Sequence, residues 1–182
     1  MIGHYSRLHW RNQRACITSA PNIEIKSWLF DGRSLTARLI DRCDGKFSVK
    51  VLSVYRGTPF PDEIKALNLT MRSRAIIRQV LLLCDGQPLV YARTIIPISS
   101  LRGPLRGVAL LGNKSLGAIL FADKSMQRLP VEAASVSARH QIHMPLPITE
   151  PIWGRRSVFI LKQKSVLVSE FFLPELFNSK TS

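Results

Sequence analysis

Apolar and polar residues alternate along this chain in two rhythms, one typical of helices and one typical of strands. Residues 22–30 and 34–42 have the spacing of two short helices, and Ser34 is placed to cap the second one. Between residues 46 and 57, apolar positions recur at every second residue, which predicts a strand. The pattern therefore mixes helices and strands.

The clearest local structure is a β-hairpin over residues 74–97, where two β-rich runs flank the dipeptide Asp85-Gly86. This dipeptide favours the positive φ angles of a two-residue turn. Such a turn pairs Cys84 with Gln87, and this pairing sets the register of the hairpin.

Counting back along that ladder places Arg78 opposite Arg93 on one face of the sheet. Like charges in this position are unfavourable unless an anion lies between them. Two interpretations stay open: a clamp for a carboxylate, or two arginines on an exposed face. A bulge in the hairpin would put the two side chains on different faces.

A second hairpin is predicted over residues 153–174, with its turn at residues 162–165. If the turn centres on the two middle residues, Glu170 faces Ser157 and Arg155 lies diagonally nearby. Glu170 stands alone among valines, leucines and phenylalanines, where a carboxylate is costly. Two interpretations stay open. Glu170 forms a structural ion pair with Arg155, or it lines a pocket as an acid or a hydrogen-bond acceptor.

Between the hairpins, Ser115 is placed to begin a helix at Leu116, whose free backbone N–H groups can meet an anion. Residues 107–115 nearly spell a phosphate-binding loop, but they contain one residue too many and their interior is apolar. A nucleotide site is therefore not expected.

The length of 182 residues suits one domain spanning residues 1–182, and the net charge of +14 predicts attraction of anions. No helix-turn-helix, zinc-finger or RNA-binding pattern accompanies the charge, so nucleic acid is not the expected partner. No apolar stretch reaches the roughly 18 residues of a membrane span.

The three cysteines are odd in number and contain no Cys-x-x-Cys pair, which indicates neither a disulfide framework nor a zinc site. A reducing, cytoplasmic location fits this usage. His140 and His143 have no further metal ligand at a recognisable spacing, so we interpret them as surface residues. No metal is expected.

Four strings, in this order, together resemble the chorismate lyase (chorismate-pyruvate lyase) family: IIRQVLLLCDGQPLVYARTIIPIS, LGNKSLGAILF, WGRRSVFIL and VLVSEFFLP. The resemblance runs from about residue 27 to 174. It implies an α+β fold of one domain, in which an antiparallel β-sheet and helical flaps enclose a buried ligand site. It also implies a cofactor-free enzyme that converts chorismate to 4-hydroxybenzoate and pyruvate, the first step of ubiquinone biosynthesis. We expect the protein to be a monomer.

The resemblance also implies roles for individual residues. Arg78 corresponds to the arginine that binds the ring carboxylate, and the backbone N–H of Leu116 contacts the same group. Glu170 corresponds to the acid beside the hydroxyl of the product, so we expect Arg78 and Glu170 to be catalytic. Leu35 stands where the family has a methionine near the site.

The second carboxylate of chorismate, on the enolpyruvyl arm, needs its own cation. From the sequence we expect either Arg93 or Arg155 to bind it.

Two other functions stay open. Repressor domains that sense small molecules share this type of fold, although about 25 residues before Ser27 leave no room for a helix-turn-helix. A basic nucleic-acid-binding protein is the other alternative, which the net charge permits.

Overall fold

One antiparallel sheet organises the computed structural model, which describes residues 8–16, 22–44, 46–101, 107 and 111–178. Within these residues the sheet order is β1-β6-β7-β8-β4-β3-β2, with β5 paired to β7. The strands are β1 (Arg11–Asn12), β2 (Phe47–Gly57), β3 (Ala75–Cys84), β4 (Gln87–Pro97), β5 (Gln127–Arg128), β6 (Glu132–Val136), β7 (Ile152–Leu161) and β8 (Lys164–Phe172). The pairing of β8 with β4 joins the two predicted hairpins into one surface.

Short helices cover both faces of the sheet. They are α1 (Gln13–Cys16), α2 (Ile23–Leu29), α3 (Leu35–Arg42), α4 (Pro61–Ala66) and α5 (Leu116–Ala122), with 3-10 turns at Ile98–Ser100, Ala138–His143 and Pro174–Leu176. The two helices predicted near the N-terminus are confirmed. Asn22 caps α2 by accepting a hydrogen bond from the Ile25 N–H, and Ser34 caps α3 in the same way.

The two faces of the sheet have different covers, which we name the α3/α5 face and the α4 face. On the α3/α5 face, Leu39 and Leu120 pack in buried clusters with sheet residues such as Val80 and Val168. The α4 face buries a separate set of side chains around Tyr91, under the N-terminal segment and α4. The predicted α+β architecture is confirmed.

The first hairpin has the predicted turn but not the predicted register. Asp85 and Gly86 both have positive φ, and Cys84 pairs with Gln87 as expected. Further along, Leu83 pairs with Pro88 while Leu82 pairs with Val90, so Leu89 is an extra residue that forms a bulge.

The bulge changes which side chains share a face. Arg78 lies opposite Thr94, and Arg93 lies opposite Gln79. Because one extra residue reverses the alternation, Arg93 points to the α4 face and Arg78 to the α3/α5 face. The expectation that Arg78 and Arg93 oppose each other is therefore wrong.

The second hairpin turns one residue earlier than predicted. Lys162 and Gln163 form the turn, both with positive φ, and the register makes Arg155 the direct partner of Glu170. The expected pairing of Glu170 with Ser157 is wrong by two residues. A shift of two residues keeps the face, so the prediction that Arg155 and Glu170 lie on one side is confirmed.

Cysteines and histidines also differ from expectation. Cys43 and Cys84 form a disulfide that links the end of α3 to the end of β3, whereas the sequence indicated none. Their Cα atoms lie 5.4 Å apart because α3 packs on the sheet beside β3, a proximity that a separation of 41 residues does not reveal. Cys16 is a buried free thiol. His140 is buried, not superficial, and the side chain of His143 lies outside the described ones.

Candidate active site

A cavity lies between the α3/α5 face of the sheet and the helices α3 and α5. Its walls are mostly apolar, with a few polar groups converging from different elements, as is usual for a site that binds a small molecule. The sheet contributes Val49, Arg78, Val80, Leu82, Ala92, Thr94, Arg128, Arg155, Phe159, Val168 and Glu170, and the cover contributes Arg33, Leu35, Thr36, Ser115, Leu116, Gly117, Leu120 and Phe121.

Arg78 is the polar group beneath the start of α5. Its side chain is 3% exposed, and its Nη2 donates hydrogen bonds to the carbonyl oxygens of Gly112 and Lys114, at 2.9 and 3.0 Å. These carbonyls belong to the turn that leads into α5, so the guanidinium and the helix start are fixed relative to each other. Leu116 is the first residue of that helix and lines the cavity. Its backbone N–H has no partner within the helix.

Glu170 and Arg155 form an ion pair in the cavity wall. The Nε of Arg155 donates to Oε2 of Glu170 at 2.6 Å. The Nη1 of Arg155 donates to the carbonyl oxygens of Trp28 and Asp31, at 2.8 and 3.0 Å, which locks this 2% exposed guanidinium in place. Oε1 of Glu170 has no protein hydrogen-bond partner within the described part of the chain, so it is available to a ligand.

Arg128 is a third guanidinium of the cavity, and the sequence did not single it out. It lies on the short strand β5 and packs near the ring of Phe159. Its Nε donates to Oγ of Ser157 at 3.0 Å, and its Nη1 donates to the carbonyl oxygen of Asp31 at 3.1 Å. Burial lowers the pKa of Arg128, and the nearby charge of Arg155 lowers this pKa further.

Arg33 lies at the rim of the cavity and is paired with a carboxylate there. Its side chain is 80% exposed and forms a bidentate pair with Asp31, with N to O distances of 3.1 and 3.0 Å. The hydrogen bond from Arg33 lowers the pKa of Asp31 to about 2. Asp31 also pairs with Arg38 and is therefore fully committed at the rim.

The inner cavity carries an excess of positive charge. Arg78, Arg128 and Arg155 face the single carboxylate of Glu170, which leaves two guanidinium charges without a counterion. The chain has 12 Asp and Glu residues, and all of them lie in the part that the structure describes. None of them forms an ion pair with Arg78 or Arg128. The cavity therefore favours a ligand with two negative charges.

Arg93 does not line this cavity, in contrast to its expected role. It lies on the α4 face, where its Nε and Nη2 donate to the two carboxylate oxygens of Glu63 at 2.7 and 3.1 Å. The guanidinium also stacks over the ring of Phe60. The structure thus brings Arg78, Arg155 and Glu170 together, with Leu35 and Leu116 in the cover, and separates Arg93 from them.

The helices of the cover are joined to each other. The hydroxyl oxygens of Thr36 on α3 and Ser115 before α5 are 2.6 Å apart, which is a hydrogen bond. Gly117 sits in the same contact, and a Cβ added there would lie 3.0 Å from Oγ1 of Thr36. The two helices can approach this closely because residue 117 has no side chain.

No three His, Cys, Asp or Glu side chains among the described residues are grouped so as to hold a metal ion. In the same part of the chain, no helix is both long and apolar enough to cross a membrane.

The fold and the cavity together define a small α+β protein with a roofed, positively charged site for an organic anion. The family model for chorismate lyase matches residues 5–182. A probable chorismate pyruvate-lyase from Methylococcus capsulatus is 40% identical over 153 residues, covering 82% of this chain and 94% of that protein. One from Thiobacillus denitrificans is 42% identical over 159 residues, covering 84% and 83%. The chain belongs to the chorismate lyase family, as its motifs predicted, and is a lyase.

Solved structures with the same fold include transcriptional regulators. A regulator of the GntR family from Bacillus cereus superposes with a TM-score of 0.54 at 14% identity, covering 75% of this chain and 98% of that one. The possible transcriptional regulator YydK from Bacillus subtilis gives a TM-score of 0.52 at 16% identity, covering 79% and 64%. At such low identity these similarities concern the fold alone.

Proposed function

We propose that this chain converts chorismate to 4-hydroxybenzoate and pyruvate in the cavity between the sheet and the helices α3 and α5. The observation that carries the proposal is the charge of the cavity, since chorismate is a dianion and two guanidinium charges there lack a counterion. The names of the relatives support the same substrate. We further propose that the enzyme acts in the cytoplasm as a monomer and begins ubiquinone biosynthesis.

Arg78 and the backbone N–H of Leu116 bind the ring carboxylate. The Arg78 guanidinium donates charge-assisted hydrogen bonds to it through N–H groups that are not bonded to the carbonyls of Gly112 and Lys114. This contact fixes the orientation of the ring, and Leu35 packs against the ring from the cover.

Glu170 lies beside the C4 hydroxyl group and accepts its hydrogen bond through Oε1. Arg155 holds the carboxylate in this position through Oε2. The hydroxyl carbon loses its hydrogen as a proton, the C3–O bond breaks, and the departing enolpyruvate takes up a proton to become pyruvate. Formation of the aromatic ring makes the step strongly downhill, so the protein contributes chiefly positioning and charge stabilisation. The proposal includes no cofactor.

The direct test mixes the purified protein with chorismate in the presence of a metal chelator. We expect 4-hydroxybenzoate and pyruvate to appear in equal amounts. If neither product forms, the proposed reaction is wrong. Saturable binding of 4-hydroxybenzoate without turnover would then favour a sensor, and steeply salt-dependent binding of DNA would favour a nucleic-acid-binding protein.

Replacing Glu170 with glutamine distinguishes two roles for this residue, orientation of the hydroxyl group and donation of a proton. If Glu170 orients the hydroxyl, as we propose, Glu170→Gln keeps an acceptor oxygen and retains kcat within about tenfold, whereas loss of a required proton donor costs about 10²-fold or more. Steady-state kinetics with chorismate measures the difference. Glu132→Gln is the matched control, because Glu132 pairs with Arg156 outside the inner cavity. A loss of 10²-fold in Glu170→Gln alone would assign proton transfer to this residue.

The contact between α3 and α5 predicts the effect of a single added methyl group. Gly117→Ala places a Cβ 3.0 Å from Oγ1 of Thr36 and pushes the two covering helices apart. Overpacking of this kind costs about 1–3 kcal/mol. We therefore expect the Kd for 4-hydroxybenzoate to rise about tenfold, mainly through faster release.

Calorimetry and a displacement assay measure the affinity and the release rate of Gly117→Ala. Gly32→Ala is the matched control, since a Cβ at residue 32 has nothing within 4 Å. Equal affinities of the two variants would contradict the idea that this contact keeps the cover closed.

A further inference from the structure

We infer that Arg128 binds the second carboxylate of the substrate, the one on the enolpyruvyl arm. This inference rests on the function proposed above, and it assigns to a residue outside the recognised motifs the role that the sequence gave to Arg93 or Arg155. Three observations carry it. The other two arginines are paired with carboxylates, Arg128 has no such partner among the Asp and Glu side chains, and Arg128 lies close to Glu170.

The other two arginines are already engaged. Arg93 lies on the α4 face in a bidentate pair with Glu63, so it has no access to the cavity. Arg155 does face the cavity, but its Nε bonds to Glu170 and its Nη1 bonds to two backbone carbonyls. A guanidinium held this way acts as a fixed support for Glu170.

Arg128 is positioned but not neutralised. Ser157 and the carbonyl of Asp31 hold its Nε and Nη1, and these neutral partners fix the plane of the guanidinium. Its Nη2 has no hydrogen bond within the described residues, and none of the Asp and Glu side chains, all of which the structure describes, forms an ion pair with it. A half-buried cation without a counterion is costly, so binding of an anion stabilises the arrangement.

The chemistry of chorismate requires the second carboxylate to lie near Glu170. The ring carboxylate and the C4 hydroxyl are at opposite ends of the ring, so Arg78 and Glu170 define its long axis. The enolpyruvyl arm leaves from C3, the carbon next to the hydroxyl. Arg128 lies at that end, because its Nη1 and the Nη1 of Arg155 donate to the same carbonyl oxygen, that of Asp31, and Arg155 bonds directly to Glu170.

The product lacks the enolpyruvyl arm. A comparison of substrate and product therefore distinguishes a direct contact of Arg128 with the arm from a structural role of Arg128. 4-Hydroxybenzoate retains the ring carboxylate and the hydroxyl but has lost the second carboxylate. Removing a hydrogen-bonded charge partner costs enough to lower kcat/KM about 30-fold or more. We expect this loss for chorismate in Arg128→Met, with the Kd for 4-hydroxybenzoate unchanged within about threefold.

Arg128→Lys serves as the second variant, in case Arg128→Met unfolds. It keeps the charge and loses the planar fork, so we expect KM for chorismate to rise while the affinity for 4-hydroxybenzoate again stays the same. Arg78→Met is the control that must weaken both ligands, because both carry the ring carboxylate.

Two results would overturn the assignment of Arg128. One is an unchanged kcat/KM for chorismate in both variants. The other is an equal loss of chorismate turnover and 4-hydroxybenzoate affinity, which would make Arg128 a structural residue of the cavity. Absence of turnover in the unmodified protein would instead overturn the proposed function, so the two failures are distinguishable.

Discussion

Arg78→Met is expected to lower kcat/KM for chorismate by about 10³-fold and to weaken the binding of 4-hydroxybenzoate to a similar extent. The substitution leaves a carboxylate in a mostly apolar cavity without its charged partner, and the loss of a buried charged partner costs about 2–5 kcal/mol. Substrate and product share the ring carboxylate, so both should lose affinity. Steady-state kinetics and calorimetry measure the two effects.

Arg78 also supports the cover of the cavity, and this second role needs its own control. Its Nη2 holds the carbonyls of Gly112 and Lys114, which precede α5. Arg78→Lys keeps the positive charge but cannot bond to the ligand and to both carbonyls with the planar geometry of a guanidinium, so it should recover only part of the affinity. Thermal unfolding of each variant separates a loss of the cover from a loss of the ligand contact. Near-normal turnover by a folded Arg78→Met protein would refute the proposed site.

The sequence predicted those features of the site that depend on local patterns. The turn at Asp85 and Gly86 depends on residue types that favour positive φ, and the helix cap at Ser34 is likewise local. The shared face of Arg155 and Glu170 was also predictable, although the turn was misplaced. Side chains in a strand alternate with a period of two, so an error of two residues in the register leaves the face unchanged.

The bulge at Leu89 shows where local counting fails. One extra residue moved Arg93 to the other face of the sheet and removed it from the site. A signal for this bulge was present in Pro88. Proline has no N–H to donate and is found within sheets at edges, strand starts or bulges, and β4 lies between β3 and β8 in the interior of the sheet.

Arg128 could not be found in this way because its role is created by tertiary structure. The atoms that hold it belong to residues 31 and 157, which are far from it in the chain. The same is true of the disulfide, whose cysteines meet only after α3 packs on the sheet. Only the folded cavity distinguishes a guanidinium that has a carboxylate partner in the protein from one whose partner is the ligand.

Removal of Glu63 is expected to cause the largest loss of stability among the substitutions considered. Glu63 and Arg93 are 4% and 3% exposed, and the carboxylate also accepts a hydrogen bond from the Phe60 N–H at the start of α4. Glu63→Ala leaves a buried guanidinium without its counterion, which costs about 3–5 kcal/mol of unfolding free energy. Urea denaturation monitored by circular dichroism measures this change.

The reason for that loss can be tested by removing both charges. A buried ion pair can often be replaced by apolar residues of similar volume with little loss, because the cost of burying the two charges disappears with them. The double variant Glu63→Leu and Arg93→Met is therefore expected to recover most of the stability that Glu63→Ala loses. If the double variant is as unstable as Glu63→Ala, the hydrogen bond to Phe60 and the packing of Arg93 on its ring, rather than the unpaired charge, stabilise the α4 face.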